Sequence, residues 1–159
     1  MSTNRYLIVM SENLIQLALG TYKVQIDKNK FDIEQKDNSA IIVTAKDNPD
    51  LKAIISIEKV PRGLDRDGMW RDTFSRDPLG ALHKMMQLEA AITGFNSDLV
   101  VNGHPGFDVL SSTSKMAAYR ISYWLEGEDA INIFAAFPSE SGGKEEIITL
   151  ANSLQVNKS

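Results

Sequence analysis

Residues 116–137, MAAYRISYWLEGEDAINIFAAF, constrain the fold of this chain more than any other stretch. Tyr, Trp, Ile and Phe fill two runs on either side of Glu126-Gly127-Glu128-Asp129. Such residues favour a pleated, mostly covered surface, and a glycine followed by a polar residue favours a tight reversal, so the stretch reads as an antiparallel hairpin. With Gly127-Glu128 as a two-residue loop, Trp124 faces Ile131, Ser122 faces Ile133 and Arg120 faces Ala135, while Tyr119, Ile121 and Tyr123 occupy the other side. Both sides carry apolar residues, which places the hairpin inside a sheet covered on both faces. Arg120, Ser122 and Trp124 share one face by the period of two, whatever the length of the turn.

The earlier part of the chain supplies more strands. Residues 6–10 and 14–19 are short apolar runs, the second readable as a strand or as a turn or two of helix, and residues 22–26 alternate after Gly20. Phe31 and Ile33 alternate with charges, residues 40–45 resume after Asp37-Asn38, and Asp47-Asn48-Pro49-Asp50 marks a turn before the alternating residues 51–60. Residues 62–77 break the pattern, with four Arg and four Asp interleaved around Leu64, Met69, Trp70 and Phe74. Asp67 is placed to cap a short helix there, which would pin a crossover to the core or present Trp70 and Arg71 to a partner.

Asp77-Pro78 opens a helix predicted over residues 78–93, with an acid at the N-cap, proline at the first helical position and Gly94 just past the end. Its Leu79, Leu82, Met85, Met86, Leu88 and Ile92 form a broad apolar arc that lies on a sheet. Asn102-Gly103-His104-Pro105-Gly106 reads as a turn, and residues 107–111 as a strand ahead of the hairpin. Ser139 and Ser141 stand before Gly142-Gly143 as helix-start residues, and Ile147, Leu150, Ala151 and Leu154 sit at i, i+3, i+4 and i+7 of an amphipathic closing helix. Residues 156–159 read as a frayed tail. This order of elements is that of an α+β fold, an antiparallel β-sheet flanked by helices on both faces.

At 159 residues, with 43% hydrophobic and 24% charged residues, the chain has the size of one domain, residues 1–159. Residues 1–26 then form N-terminal strands, 27–156 the core and 157–159 the tail. A net charge of −4 argues against nucleic acid, whose recognition needs clustered Lys and Arg. The absence of cysteine removes disulfides, thiolate catalysis and cysteine-ligated zinc. No apolar run reaches the roughly 20 residues of a transmembrane helix, so the chain as given reads as soluble and cytoplasmic. An exported or lipoprotein form stays open if a signal was removed.

Candidate chemistry is sparse. His104 is placed to act as a base or ligand, but no acid or nucleophile stands at a recognisable spacing from it, and a plain turn histidine is the alternative. The serines lack G-x-S-x-G and S-x-x-K contexts. Asp65-x-Asp67-Gly68 resembles the start of a calcium loop that no Glu closes, and no phosphate-binding glycine loop is visible. The acidic turn at residues 126–129 reads as a solvated tip. No catalytic residue, metal site or cofactor is therefore assigned.

The segments NSAIIVTAKDNPDLKAIISIEKV, VNGHPGFDVLSS, YRISYWLEGEDAINIFAAF and IITLANSLQ, in this order around the long helix, resemble the PsbP-like superfamily of PsbP and DcrB-like proteins and related secretion-effector chaperones. The resemblance covers about residues 30–155. It implies an α/β/α sandwich and a non-catalytic binding, chaperone or assembly role. The expectation is a protein-binding module of chaperone or adaptor type, recognising another protein or peptide through Trp70, Arg71, Arg120, Ser122 and Trp124. The alternative is a small-molecule or lipophilic-ligand carrier, its pocket lined by Met85, Met86, Tyr119 and Tyr123 between sheet and long helix. An enzyme built on His104 and scattered acids ranks third.

Overall fold

The computed structural model describes residues 13–69 and 91–159. Within them the order is β1 (Leu14–Leu19), β2 (Tyr22–Asp27), β3 (Phe31–Glu34), β4 (Ala40–Ala45), β5 (Asn48–Lys59), β6 (Ala91–Val101), β7 (His104–Ser112), β8 (Met116–Trp124), β9 (Asp129–Pro138), α1 (Gly143–Ser153) and β10 (Gln155–Lys158). The large sheet runs β3-β4-β5-β9-β8-β7-β6 with every neighbouring pair antiparallel, and β1-β2-β10 form a smaller antiparallel sheet. The architecture is thus α+β and mostly antiparallel sheet.

The hairpin β8–β9 lies in the interior of the large sheet, and nearly all of its residues are buried. One of its faces holds Tyr119, Ile121, Tyr123, Ile131, Ile133 and Ala135, which join the main core with Ile147, Leu150 and Ala151 of α1 and with Leu19, Val24 and Ile26 of the small sheet. Full burial of each large aliphatic or aromatic side chain stabilises the fold by about 1.5–3 kcal/mol before entropy is counted. Gly143 lets α1 reach β9, because a Cβ there would stand 2.5 Å from the Phe137 ring. The opposite face carries a second cluster of Val60, Met69, Phe107, Val109, Trp124 and Ala130. Met69 arrives on a helical turn over residues 66–69.

Several local expectations are corrected. Asp129 N–H does bond Glu126 C=O (2.9 Å) across Gly127-Glu128, but Leu125 N–H also bonds Asp129 C=O (2.7 Å). That extra pair shifts the register by one, so Trp124 faces Ala130, Ser122 faces Asn132 and Arg120 faces Phe134. Residues 91–93 and Gly94, expected as the end and stop of a helix, belong to β6. Gly94 marks a bulge there, the register shifting between Ile92 and Gly94, which is a common use of glycine inside a strand. Residues 78–90 of the predicted helix, with Met85 and Met86, lie outside the described residues, as do Trp70 and Arg71.

The turn after β4 is Lys46-Asp47, so Asn48, Pro49 and Asp50 already belong to β5. Leu14–Leu19 is a strand. The expected frayed tail is β10, which pairs with β2 from Gln155↔Gln25 to Lys158↔Tyr22, since it gives β2 a second neighbour. Asp65 rather than Asp67 caps the short helical turn, its Oδ1 accepting Gly68 N–H at 2.7 Å. Neither serine caps α1. Its N-cap is Gly142 in the left-handed region (φ 74°), without a side-chain cap bond.

Candidate binding site

The period-two row of β8 is brought together as predicted but is not a surface. Arg120, Ser122 and Trp124 are 3%, 0% and 6% exposed. Arg120 Nε donates to Ser122 Oγ (2.9 Å) and to Asn132 Oδ1 (3.0 Å), and Nη2 also donates to Asn132 Oδ1. Ser122 Oγ donates to the same oxygen at 2.6 Å, and Asn132 Nδ2 donates to Glu58 Oε2 at 3.1 Å. A buried guanidinium is tolerable only with such bonding. Trp124 Nε1–H donates to Val60 C=O (3.0 Å), its ring packs on Phe107 with centroids 5.3 Å apart, and the Arg62 guanidinium lies 5.2 Å over it. Arg120 therefore does not snorkel to an edge. It is held inside, over the Phe107 ring at 5.1 Å.

Accessible polar groups gather on the other side of the sheet, in an open pocket of about 470 Å³ where the end of α1, β10 and the β6–β7 turn meet. Asn102 and Gly103 both have positive φ (54° and 80°), giving a two-residue hairpin turn of the kind Asn-Gly favours. The turn aims Asn102 at α1, where Nδ2 donates to Ala151 C=O (2.9 Å) and Leu154 C=O (3.0 Å) and satisfies carbonyls that a helix end leaves open. His104 starts β7 rather than lying in the turn, and its ring stacks on Tyr123 with centroids 5.6 Å apart. Burial pushes the Tyr123 phenol up to about 12, with the Asn102 side chain pulling partly the other way. Asn152, Ser153, Leu154, Gln155, Val156 and Asn157 complete the wall.

Of the residues expected to line a carrier pocket, Tyr123 is here and Tyr119 is not. Tyr119 is fully buried, and its hydroxyl donates to Asp108 Oδ2 at 2.7 Å. Both tyrosines lie on the face shared with α1. Sequence reasoning missed Asn152, Gln155 and Asn157 altogether, since an amide at a helix end carries no spacing signal. Only the Asn102-Gly103 turn, His104 and Tyr123 were legible.

The acidic hairpin tip is also tied down, not simply solvated. Asp129 accepts from Tyr22 Oη (2.8 Å) and pairs with Lys59 (2.5 Å), Arg62 Nε donates to Gly127 C=O (2.9 Å), and Lys158 approaches Glu126 (3.4 Å). Lys59 and Tyr22 together hold the Asp129 carboxyl below its ordinary range, and burial with the Asp129 contact pushes Tyr22 up to about 12. Among the described residues no group of three His, Asp or Glu side chains is arranged to hold a metal ion, and no helix is long and apolar enough to cross a membrane.

No protein-family model and no curated protein matches the sequence. Solved structures do resemble this one. The solution structure of cyanobacterial PsbP (CyanoP) from Synechocystis sp. PCC 6803 superposes with a TM-score of 0.55 at 12% identity, over 91% of this chain and 93% of that one. The Saccharomyces cerevisiae Ran-binding protein Mog1p superposes with a TM-score of 0.51 at 9% identity, over 90% of this chain and 95% of its own. The likeness is one of backbone architecture, and by it this chain has the Mog1/PsbP-like fold.

Proposed function

We propose that this chain is a non-catalytic protein-binding module of the chaperone or adaptor type. The observation that carries the reading is the open pocket at the end of α1, whose side chains are amides, a serine, two aliphatics and the His104–Tyr123 stack. Amide side chains offer both donors and acceptors without moving protons, and the Tyr123 phenol, pushed up to about 12, stays un-ionised at neutral pH. Such a wall suits recognition of polar surface. Mog1p, which shares the fold, is a Ran-binding protein, and that agrees with a protein partner. Trp124 and Arg120 then contribute by stiffening the sheet beneath, since their burial keeps them from direct contact.

Affinity capture from lysate tests the reading, with wild type compared with the Asn152→Lys/Gln155→Lys double variant. Both positions are exposed, so the variant is expected to fold, which circular dichroism checks. A specific protein captured by wild type and lost by the variant is the expected result. Wild type that captures nothing specific overturns it. A carrier role is the second reading, because about 470 Å³ lies within the usual range of small-molecule pockets. A small molecule retained in native mass spectrometry and displaced by the double variant would favour that role instead.

A further inference from the structure

We infer that the edge of β10 left unpaired among the described residues accepts an extended, uncharged polar segment of another protein, which pairs with the Val156 backbone and seats a hydroxyl or amide side chain against His104 and Tyr123. The inference rests on the protein-binding reading and deepens it. Its first ground is the way β10 meets the pocket. Gln155, Val156 and Asn157 all line it, although consecutive strand residues point to opposite faces. A cavity touched by three residues in a row therefore runs along the strand's backbone edge. One edge is occupied by β2, so the pocket lies along the other.

The hydrogen-bond parity shows which groups that edge offers. Ser159 N–H donates to Thr21 C=O at 2.9 Å, in register with the pairs Asn157↔Lys23 and Gln155↔Gln25. In an antiparallel ladder bonded and non-bonded pairs alternate, so Val156 and Lys158 turn their N–H and C=O away from β2. Among the described residues, no backbone bond takes up these groups of Val156. Its side chain meanwhile packs on the main core, which fixes the strand. This is the geometry of β-strand addition, in which main-chain bonds hold an extended peptide and a neighbouring pocket reads its side chain.

The composition of the wall specifies that side chain. None of the nine lining residues is Asp, Glu, Lys or Arg. A charged partner residue would be desolvated there without a counter-ion, whereas a hydroxyl or amide finds matching donors and acceptors.

The test selects a random octapeptide library displayed on phage against the wild-type protein, then measures the selected peptides in synthetic form. The expected peptides carry Ser, Thr, Asn or Gln at the centre and protect the Val156 amide from hydrogen exchange. Val156→Pro removes the outward-facing donor together with the valine side chain's packing on the core, and Asn152→Lys places a charge in the pocket. Each is expected to weaken binding about tenfold, the scale of one lost hydrogen bond with its partner left unsatisfied. If Val156→Pro does not fold, Asn152→Lys and the exchange measurement decide. Failure to select any peptide, selected peptides that leave Val156 unprotected, or variants that bind within about twofold of wild type overturn the inference. So does a particle of twice the chain mass with Val156 protected in the absence of peptide, which assigns the edge to a second copy. A protein captured from lysate that leaves Val156 unprotected removes this edge site and keeps the protein-binding reading.

Discussion

Ser111 and Ser122 are both fully buried, and cross-strand pairing sets them on the same face of the large sheet. Ser122 Oγ receives Arg120 Nε and donates to Asn132, whereas among the described residues Ser111 Oγ has no hydrogen-bond partner. Removing a bonded hydroxyl strands its partners, and removing an unbonded one relieves a desolvation cost. Ser122→Ala is therefore expected to lower the unfolding free energy by about 1–2 kcal/mol, and Ser111→Ala to raise it by about 1 kcal/mol. Urea denaturation at constant m-value checks both; equal losses would contradict the bonding pattern. The period of two placed Arg120, Ser122 and Trp124 on one face from sequence alone. It could not tell an exposed row from a bonded interior one, because that depends on what the rest of the chain lays over the face.

At the scale of elements, Gly143 decides how α1 packs. A methyl group there would stand 2.5–2.8 Å from three atoms of the Phe137 ring, well inside contact distance. Gly→Ala in a helix ordinarily gains up to about 1 kcal/mol, but overpacking a core contact costs about 1–3 kcal/mol. Gly143→Ala is expected to lower the midpoint of thermal unfolding, with the loss concentrated at the α1–β9 contact. A raised midpoint would mean that α1 can shift away from β9 at little cost. The spacing of Ile147, Leu150, Ala151 and Leu154 made α1 legible, and all four are buried. The end of the predicted long helix was misread. Gly94 satisfies the signal for a helix stop and for a strand bulge equally well, and only the pairing of β6 with β7 distinguishes the two. The hairpin register failed by one residue for a similar reason, since Glu126-Gly127-Glu128 fits a two-residue and a three-residue loop equally well and only the Leu125–Asp129 bond distinguishes them.

At the scale of the whole molecule, Asp129 joins the two sheets, bonding Tyr22 of β2 and Lys59 of β5 from the start of β9. Its side chain is 17% exposed but that of Lys59 is 73% exposed, so solvent screens the ion pair more than the bond to Tyr22. The sign of the pH effect follows from the direction of the shift. Lys59 and Tyr22 hold the folded carboxyl below its unfolded value of 3.8, so its stabilisation is present above that pH and is lost as pH falls through the lower, folded value. Asp129→Asn is expected to be less stable than wild type near neutrality, with the gap closing as the pH drops below about 4. Unfolding curves across that window check it, and a gap independent of pH would remove the ionised carboxylate from the account.

Residue order alone determined the local part of this protein. Aromatic and β-branched runs set the central hairpin and the strands before it, and apolar spacing set the closing helix, because those signals act within a few residues. Tertiary structure decided the rest. The pocket takes Asn102 and His104 from one turn, Tyr123 from β8 and Asn152–Asn157 from the chain's end, and β10 acquires its strand only by pairing with β2. Contacts between segments so far apart depend on which surfaces pack together, and packing is a property of the assembled core that no local period encodes.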